Sequence, residues 1–429
     1  MSRQRSFGCR GLSAVLLILL VLSSIQHGLV GTQALAAEQI AIKTDKASSD
    51  FPDGIDFSLD ARSDHEIQRI ELLYQAADIE TLNLEVPDFK PGKHVSLKHT
   101  LDFHTNFEPS GIDITYHWRI TDDAGNVTES EPKVVQWFDN RFDWQSTASS
   151  DVTLYTYYQN PAFAKIILDT AQRTVDRLKV MYGLDTVTPF RIWAYNKQKD
   201  FLVTQQANGS DAVAATTYPQ FHVIASLLPE GGIREVGRVI PHEVSHQLLY
   251  QATKNPFNAP PTWLDEGLAV SNQESGNEDS PALVKDAAEK GQLFSIRSLK
   301  SDFPLDYSDM VLAYAESYSI VQFIINTYGE DKLAAVIAAY RDGVAHDEAL
   351  RRGLGVDTDQ LDQLWKANLD YPGDKPRATG TTSQPSHWTD FFGTGLASGA
   401  LVVFVALIAV ALFRLASARR FRRHAPRLG

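Results

Sequence analysis

Five residues, His242-Glu243-Val244-Ser245-His246, followed by Trp263-Leu264-Asp265-Glu266-Gly267, restrict this chain more than anything else in it. On a helix the two histidines stand at i and i+4, so both imidazoles project from one face about a turn apart. That spacing suits two nitrogen ligands of one tetrahedral zinc ion. Glu243 then points beside the metal, where it can take a proton from an activated water. Glu266 lies 20 positions after His246, on what reads as the next helix, and offers a third ligand with the fourth position left open. A closed structural site would need four protein ligands, so three plus a candidate base read as a catalytic site. An ordinary polar helix face is the competing reading of the five residues alone. Glu266 weighs against it, because a carboxylate in the apolar run from Trp263 to Val270 is costly unless solvated, paired or metal-bound. Asp265 is the neighbouring alternative, but on a helix it faces about 100° away from Glu266.

With these motifs the chain resembles the gluzincin metallopeptidases, whose fold is thermolysin-like, and in particular the membrane-associated peptidase MA-like domains related to the catalytic domain of zinc aminopeptidases. The resemblance covers roughly residues 150–370. It implies that His242, His246 and Glu266 bind Zn2+ and that Glu243 is the general base. A tyrosine on a later helix steadies the oxyanion in that family. The stretch Tyr314-Ala315-Glu316-Ser317-Tyr318-Ser319-Ile320-Val321 resembles that helix and puts the role on Tyr314, with Tyr318 second. A tyrosine on an amphipathic helix also packs readily into a core, which is the plainer reading of both. Zinc aminopeptidases carry Gly-x-Met-Glu-Asn before the metal helix, where its Glu holds the substrate's free amine. Here the region Ala212–Gln220 has no acid except Asp211 at its start, which puts aminopeptidase specificity in doubt.

The two ends of the chain point to a membrane. Arg3, Arg5 and Arg10, an apolar run from Leu12 to Leu22 and Ala34-Leu35-Ala36-Ala37 compose a signal peptide over residues 1–37. Cys9 is the one cysteine and lies ahead of the apolar run, so the mature protein has no disulfide. Residues 391–413 are 23 in a row without a charge, enough to span a bilayer with some tilt. Six arginines and no acid follow, so the tail, residues 414–429, faces the cytoplasm. Gly395 and Gly399 form a small-xxx-small pair that could dimerise the span, although glycine is common in membrane helices anyway. Setting aside the +3 of residues 1–37 and the +6 of residues 391–429 from the overall −13 leaves −22 on residues 38–390. So acidic an ectodomain is a poor nucleic-acid binder. An exported chain without disulfides points to a bacterial source.

Between these ends the chain divides in two. Over residues 38–143, Ile55–Leu59 and Ile112–Ile120 alternate apolar and polar, and Pro52-Asp53-Gly54, Lys90-Pro91-Gly92 and Asp122–Asn126 mark turns. This reads as an immunoglobulin- or fibronectin-like β-sandwich, serving as a spacer or docking module. His65, His94, His99, His104 and His117 lack metal spacing. Over residues 150–370, strands are expected at Val152–Tyr157, Phe190–Tyr195 and Phe221–Leu227, and a helix at Pro161–Met181 ending at Gly183. The strand just before the metal helix is expected at the edge of its sheet, open to an extended substrate. Pro241 is expected to begin or bend the metal helix, with His242 near its first turn. Further helices follow, then a Pro/Gly/Thr/Ser-rich stalk over residues 371–387.

The expected protein is thus an α+β multidomain chain: the sandwich, a mainly α thermolysin-like peptidase domain and one C-terminal transmembrane helix. It would be a cell-membrane, outward-facing zinc metallopeptidase acting on polypeptides. A non-catalytic zinc-containing surface binder and a zinc hydrolase of a non-peptide bond remain as alternatives.

Overall fold

The computed structural model describes residues 40–76, 79–103, 107–205, 214–304 and 306–375. The expected signal peptide, the span 391–413 with Gly395 and Gly399, and the basic tail lie outside the described residues, as does His104. Among the described residues no helix is long and apolar enough to cross a membrane.

Seven strands build the N-terminal unit: β1 (Ala41–Asp50), β2 (Gly54–Ala76), β3 (Asn83–Glu85), β4 (Gly92–Asp102), β5 (Ile112–Asp122), β6 (Val127–Glu129) and β7 (Lys133–Trp137). The expected alternation is realised: Ile55, Phe57, Leu59 and Ala61 of β2 and Ile112, Ile114, Tyr116, Trp118 and Ile120 of β5 all point into the core. The pairing differs from a set of short strands in two separate sheets. All seven strands belong to one hydrogen-bonded network, because β2 runs for 23 residues and serves two partner sets. Its first half pairs with β1 and β4, its second half with β3 and β5, and the register breaks between Arg62 and Ile67. The polar run Ser63-Asp64-His65-Glu66 occupies that break, where no core face needs filling.

A second sheet follows, from β8 (Gln145–Ala148), β9 (Val152–Thr156), β10 (Phe190–Tyr195), β11 (Ala215–Tyr218) and β12 (Val223–Leu227), with α1 (Pro161–Met181) and the short α2 (Gln198–Leu202) between strands. The order is β11-β12-β10-β9-β8, with the three central strands parallel and the two outer ones antiparallel. Helix α1 has the expected bounds, Pro161–Met181 with Gly183 following at φ +63°, and the structure adds a cap, the Asn160 side chain accepting from Ala162 N–H. Two strands escaped the sequence reading. One is β8, which is exposed throughout. The other is β11, and it corrects the edge assignment: β12, the strand just before the metal helix, is flanked by β11 and β10, and among the described residues β11 is the outer strand on that side.

Helices then complete the chain: α3 (Ile233–Thr253), α4 (Thr262–Asn272), α5 (Ser280–Lys290), α6 (Tyr307–Tyr328), α7 (Glu330–Arg341), α8 (His346–Leu354) and α9 (Thr358–Asn368). Helix α3 is buried along most of its length, between α1 and β11 on one side and α4 and α7 on the other. A hydroxyl cluster fixes it laterally, with Tyr182 and Ser245 oxygens 2.8 Å apart and Asn272 donating to both.

The second sheet is apolar on both faces, as its parallel centre requires. Ile192 and Ala194 of β10 and Ile224 of β12 face α1 and α3, while Trp193, Tyr195, Val223 and Ala225 face the N-terminal unit. Residues of both sheets therefore share one core. Arg191 of β10 pairs with Asp113 of β5 at 2.5 Å and donates to the Gly111 carbonyl. The Trp193 indole lies where a Cβ on Gly111 would sit, 2.2 Å away. The N-terminal unit is thus packed onto the back of the second sheet.

Candidate metal centre

The metal helix does not begin at Pro241. It starts at Ile233 and passes through the proline, which places His242 in its third turn. A proline inside a helix removes the N–H that would serve the carbonyl four residues earlier. Here that carbonyl, on Gly237, accepts instead from the backbone N–H of Glu274 at 2.8 Å. The expected break is relieved by a tertiary hydrogen bond that sequence reasoning had no means to see.

His242 and His246, one turn apart on α3, meet Glu266 from α4. Their Nε2 atoms are 3.2 Å apart, and each is 3.5 Å from Glu266 Oε2. A tetrahedral zinc with bonds of about 2.0–2.1 Å holds its ligand atoms about 3.3–3.4 Å from one another. All three side chains are buried, and Glu266 Oε2 has no hydrogen-bond donor. A buried, orphaned carboxylate oxygen facing two imidazole nitrogens fits a cation. Burial by itself would raise Glu266, but the facing histidines hold it well below the ordinary carboxylate range. Burial likewise opposes charge on His246, yet the Asp265 and Glu266 carboxylates hold it well above the ordinary histidine value.

The second ring nitrogens are also held. His246 Nδ1 lies 2.6 Å from Asp265 Oδ1. Asp265 is thus turned away from the His242–His246–Glu266 cluster and meets the outer nitrogen of His246 instead. His242 Nδ1 lies 2.9 Å from Nε2 of Gln273, the C-cap residue of α4. Such contacts fix ring orientation in metal sites.

Glu243 is buried one residue along the helix. Thr217 of the edge strand β11 donates its hydroxyl to Glu243 Oε2 at 2.6 Å, which leaves the other carboxylate oxygen uncommitted by that bond. Thr217 belongs to the region noted for its lack of acids, so a hydroxyl stands beside the base there; residues 211–213 lie outside the described residues. Tyr314, buried in α6, shares a side-chain hydrogen bond with Glu266, and burial together with that carboxylate raises its hydroxyl well above the ordinary tyrosine value. It therefore remains a phenol, able to donate. Tyr318, one turn on, is half-buried against the apolar core. The structure brings His242, Glu243, His246, Glu266 and Tyr314 together. Sequence reasoning missed Asp265 as an orienting group, and also Thr217 and Gln273. Only Asp265 carried a local signal, by adjacency to Glu266.

Helix α4 lies close to α6 because Gly267 leaves room: a Cβ there would stand 2.4 Å from the Ser317 carbonyl oxygen. That approach is what carries Tyr314 to Glu266.

The Peptidase MA superfamily profile matches residues 170–371. Among solved structures, an aminopeptidase N family protein from Idiomarina loihiensis is similar at a TM-score of 0.36 and 9% identity, over 79% of this chain and 76% of that one. The sporulation control protein Spo0M from Bacillus subtilis scores 0.16 at 7% identity, over 34% of this chain and 56% of that one. A polysaccharide deacetylase from Bacillus cereus scores 0.18 at 11%, over 51% and 79%. No match is found among curated proteins.

Proposed function

With residues 170–371 forming a gluzincin-like domain of the Peptidase MA superfamily, we propose that this protein is a zinc metallopeptidase that hydrolyses polypeptides outside the cytoplasm while anchored to the cell membrane. The observation that carries the reading is the convergence of His242 Nε2, His246 Nε2 and Glu266 Oε2 beside a buried carboxylate, Glu243, held by a hydroxyl of the free sheet edge. His242, His246 and Glu266 would hold Zn2+, which when bound supplies Lewis-acid chemistry for the scissile carbonyl and for a water. Glu243 takes the proton of that water as its oxygen attacks the carbonyl carbon, and then delivers it to the departing amine. Tyr314 donates its phenolic hydrogen to the developing oxyanion. An extended substrate adds to the open edge of β11, next to Thr217, by main-chain hydrogen bonds. The membrane anchor rests on the charge-free residues 391–413 and the basic tail, and the outward orientation on the signal peptide. We read the N-terminal unit as a β-sandwich, supported by the two partner sets on the halves of β2.

Glu243→Gln tests the mechanism. Incubated with a mixed peptide library and read by mass spectrometry, this variant should keep its zinc and lose at least ~10²-fold in turnover. Unchanged cleavage by it would sink the mechanism. Zinc-loaded wild type that cuts nothing would favour a non-catalytic binder.

A further inference from the structure

Resting on that zinc reading, we infer that Gln273 is a positioning residue for His242, and that the proline in the metal helix makes the seat that holds it there. The segment after α4 is laid along the turn of α3 that precedes the histidines. Glu274 N–H occupies the Gly237 carbonyl that Pro241 leaves without a helical donor, at 2.8 Å. Ser275 Oγ donates to the Arg234 carbonyl at 2.9 Å, and the Arg234 guanidinium pairs with Glu278 at 3.0 Å. Gly276 has φ +91°, and a Cβ on it would fall 2.5 Å from Arg238 Cδ, so the backbone lies directly on that buried side chain. Four contacts along residues 274–278 thus fix the strap, and Gln273, the residue before it, meets His242 Nδ1 at 2.9 Å.

The two histidines are held by different chemistry. The Asp265 carboxylate lies 2.6 Å from His246 Nδ1 and fixes that ring with Nε2 towards the cluster. A carboxamide can donate or accept. Its nitrogen donates to Nδ1 when the His242 proton sits on Nε2, and its oxygen accepts from Nδ1 when Nε2 is free to ligate. His246 is thus oriented by a carboxylate, whereas His242 is oriented by an amide that can serve either tautomer.

The test uses full-length protein in detergent, stripped of metal, with zinc affinity measured by chelator competition and the thermal midpoint of the metal-free form measured alongside. Gln273→Leu should weaken zinc by about 10–100-fold with the metal-free midpoint unchanged. Gln273→Glu, which can only accept, should bind at least as tightly as wild type. Gly276→Ala, far from the ligands in chemistry but not in the strap, should weaken zinc as well. A Leu variant within about twofold of wild type, or a Glu variant as weak as Leu, would overturn the role of Gln273. Wild-type affinity in Gly276→Ala would overturn the role of the strap. Failure of the site itself looks different: wild type would take no zinc, or His242→Ala would take it equally well.

Discussion

Gly267→Ala puts a single methyl where two helices leave no room for it. Its Cβ would stand 2.4 Å from Ser317 O, 2.8 Å from the same carbonyl carbon and 2.8 Å from Val321 Cγ2. Two of the three atoms are backbone, so no side-chain rotation relieves the clash, and α4 and α6 must separate by about 1 Å to restore ordinary contact. Overpacking of this kind costs about 1–3 kcal/mol, and a rigid backbone neighbour puts the cost at the upper end. Alanine recovers up to ~1 kcal/mol over glycine inside a helix. The net loss is about 2 kcal/mol, which lowers the midpoint by about 4–8 °C.

The same displacement reaches the chemistry. Glu266 is the preceding residue of α4, and Tyr314, which bonds it, is on α6. A shift of about 1 Å in a positioned group can cost ~10²-fold in rate. Thermal melts of metal-free and zinc-loaded protein, beside peptide turnover, read both effects. A midpoint at or above wild type with full turnover would show that α4 and α6 tolerate separation, and would refute the argument that Gly267 sets the site.

Three further outcomes follow from the same geometry. Thr217→Val removes the hydroxyl on Glu243 while keeping its shape, so kcat should fall several-fold and Thr217→Ser should restore it; equal rates in all three would dismiss the contact. Burial, helped by Lys300 and Arg297 against Asp347, lowers His346 to about 4, so between that pH and the unfolded value near 6.5 the unfolded chain binds more protons. Stability should fall by up to about 3 kcal/mol as pH drops through this window, and His346→Asn should flatten the loss in denaturant titrations; an unchanged slope in that variant would refute it. A fragment of residues 150–375 should be insoluble or molten, because Trp193, Tyr195, Val223 and Ala225 lose their cover, and a monomeric, sharply melting fragment would contradict this.

How much could be read in the chain beforehand depended on the range of the interaction. The three candidate ligands were legible because His242 and His246 are related by one helical turn and Glu266 is a costly charge in an apolar run. Helix α1 was legible to the residue because its apolar spacing and the glycine that ends it are local signals. Strand β11 was not, since Ala215-Thr216-Thr217-Tyr218 has four residues and no alternation: all four are buried, Ala215 in the core on the helix side and Tyr218 in the core shared with the N-terminal unit. The course of α3 through Pro241 was misread for a similar reason. The rule that proline ends a helix assumes an orphaned carbonyl, and Glu274, 37 positions from Gly237, supplies the donor. Gln273 and Thr217 reach the site only through such folded contacts.

The position of the N-terminal unit follows from the same accounting of faces. A sheet whose central strands are parallel must bury both sides, and helices α1 and α3 supply one cover only. The other face carries Trp193, Tyr195 and Tyr155, with Trp193 and Tyr155 stacked at 4.1 Å. In most α/β domains a second layer of helices would lie there. Here the short α2, through Phe201 against Tyr195, and β5, with Gly111 admitting the Trp193 ring, close it instead. The edge strand that carries Thr217 hangs on this sheet through β12, whose Val223 and Ala225 sit in the shared core. Substitutions at the interface between the two units, such as Arg191→Leu, should therefore reach peptide turnover through β11 even though they touch none of the ligands.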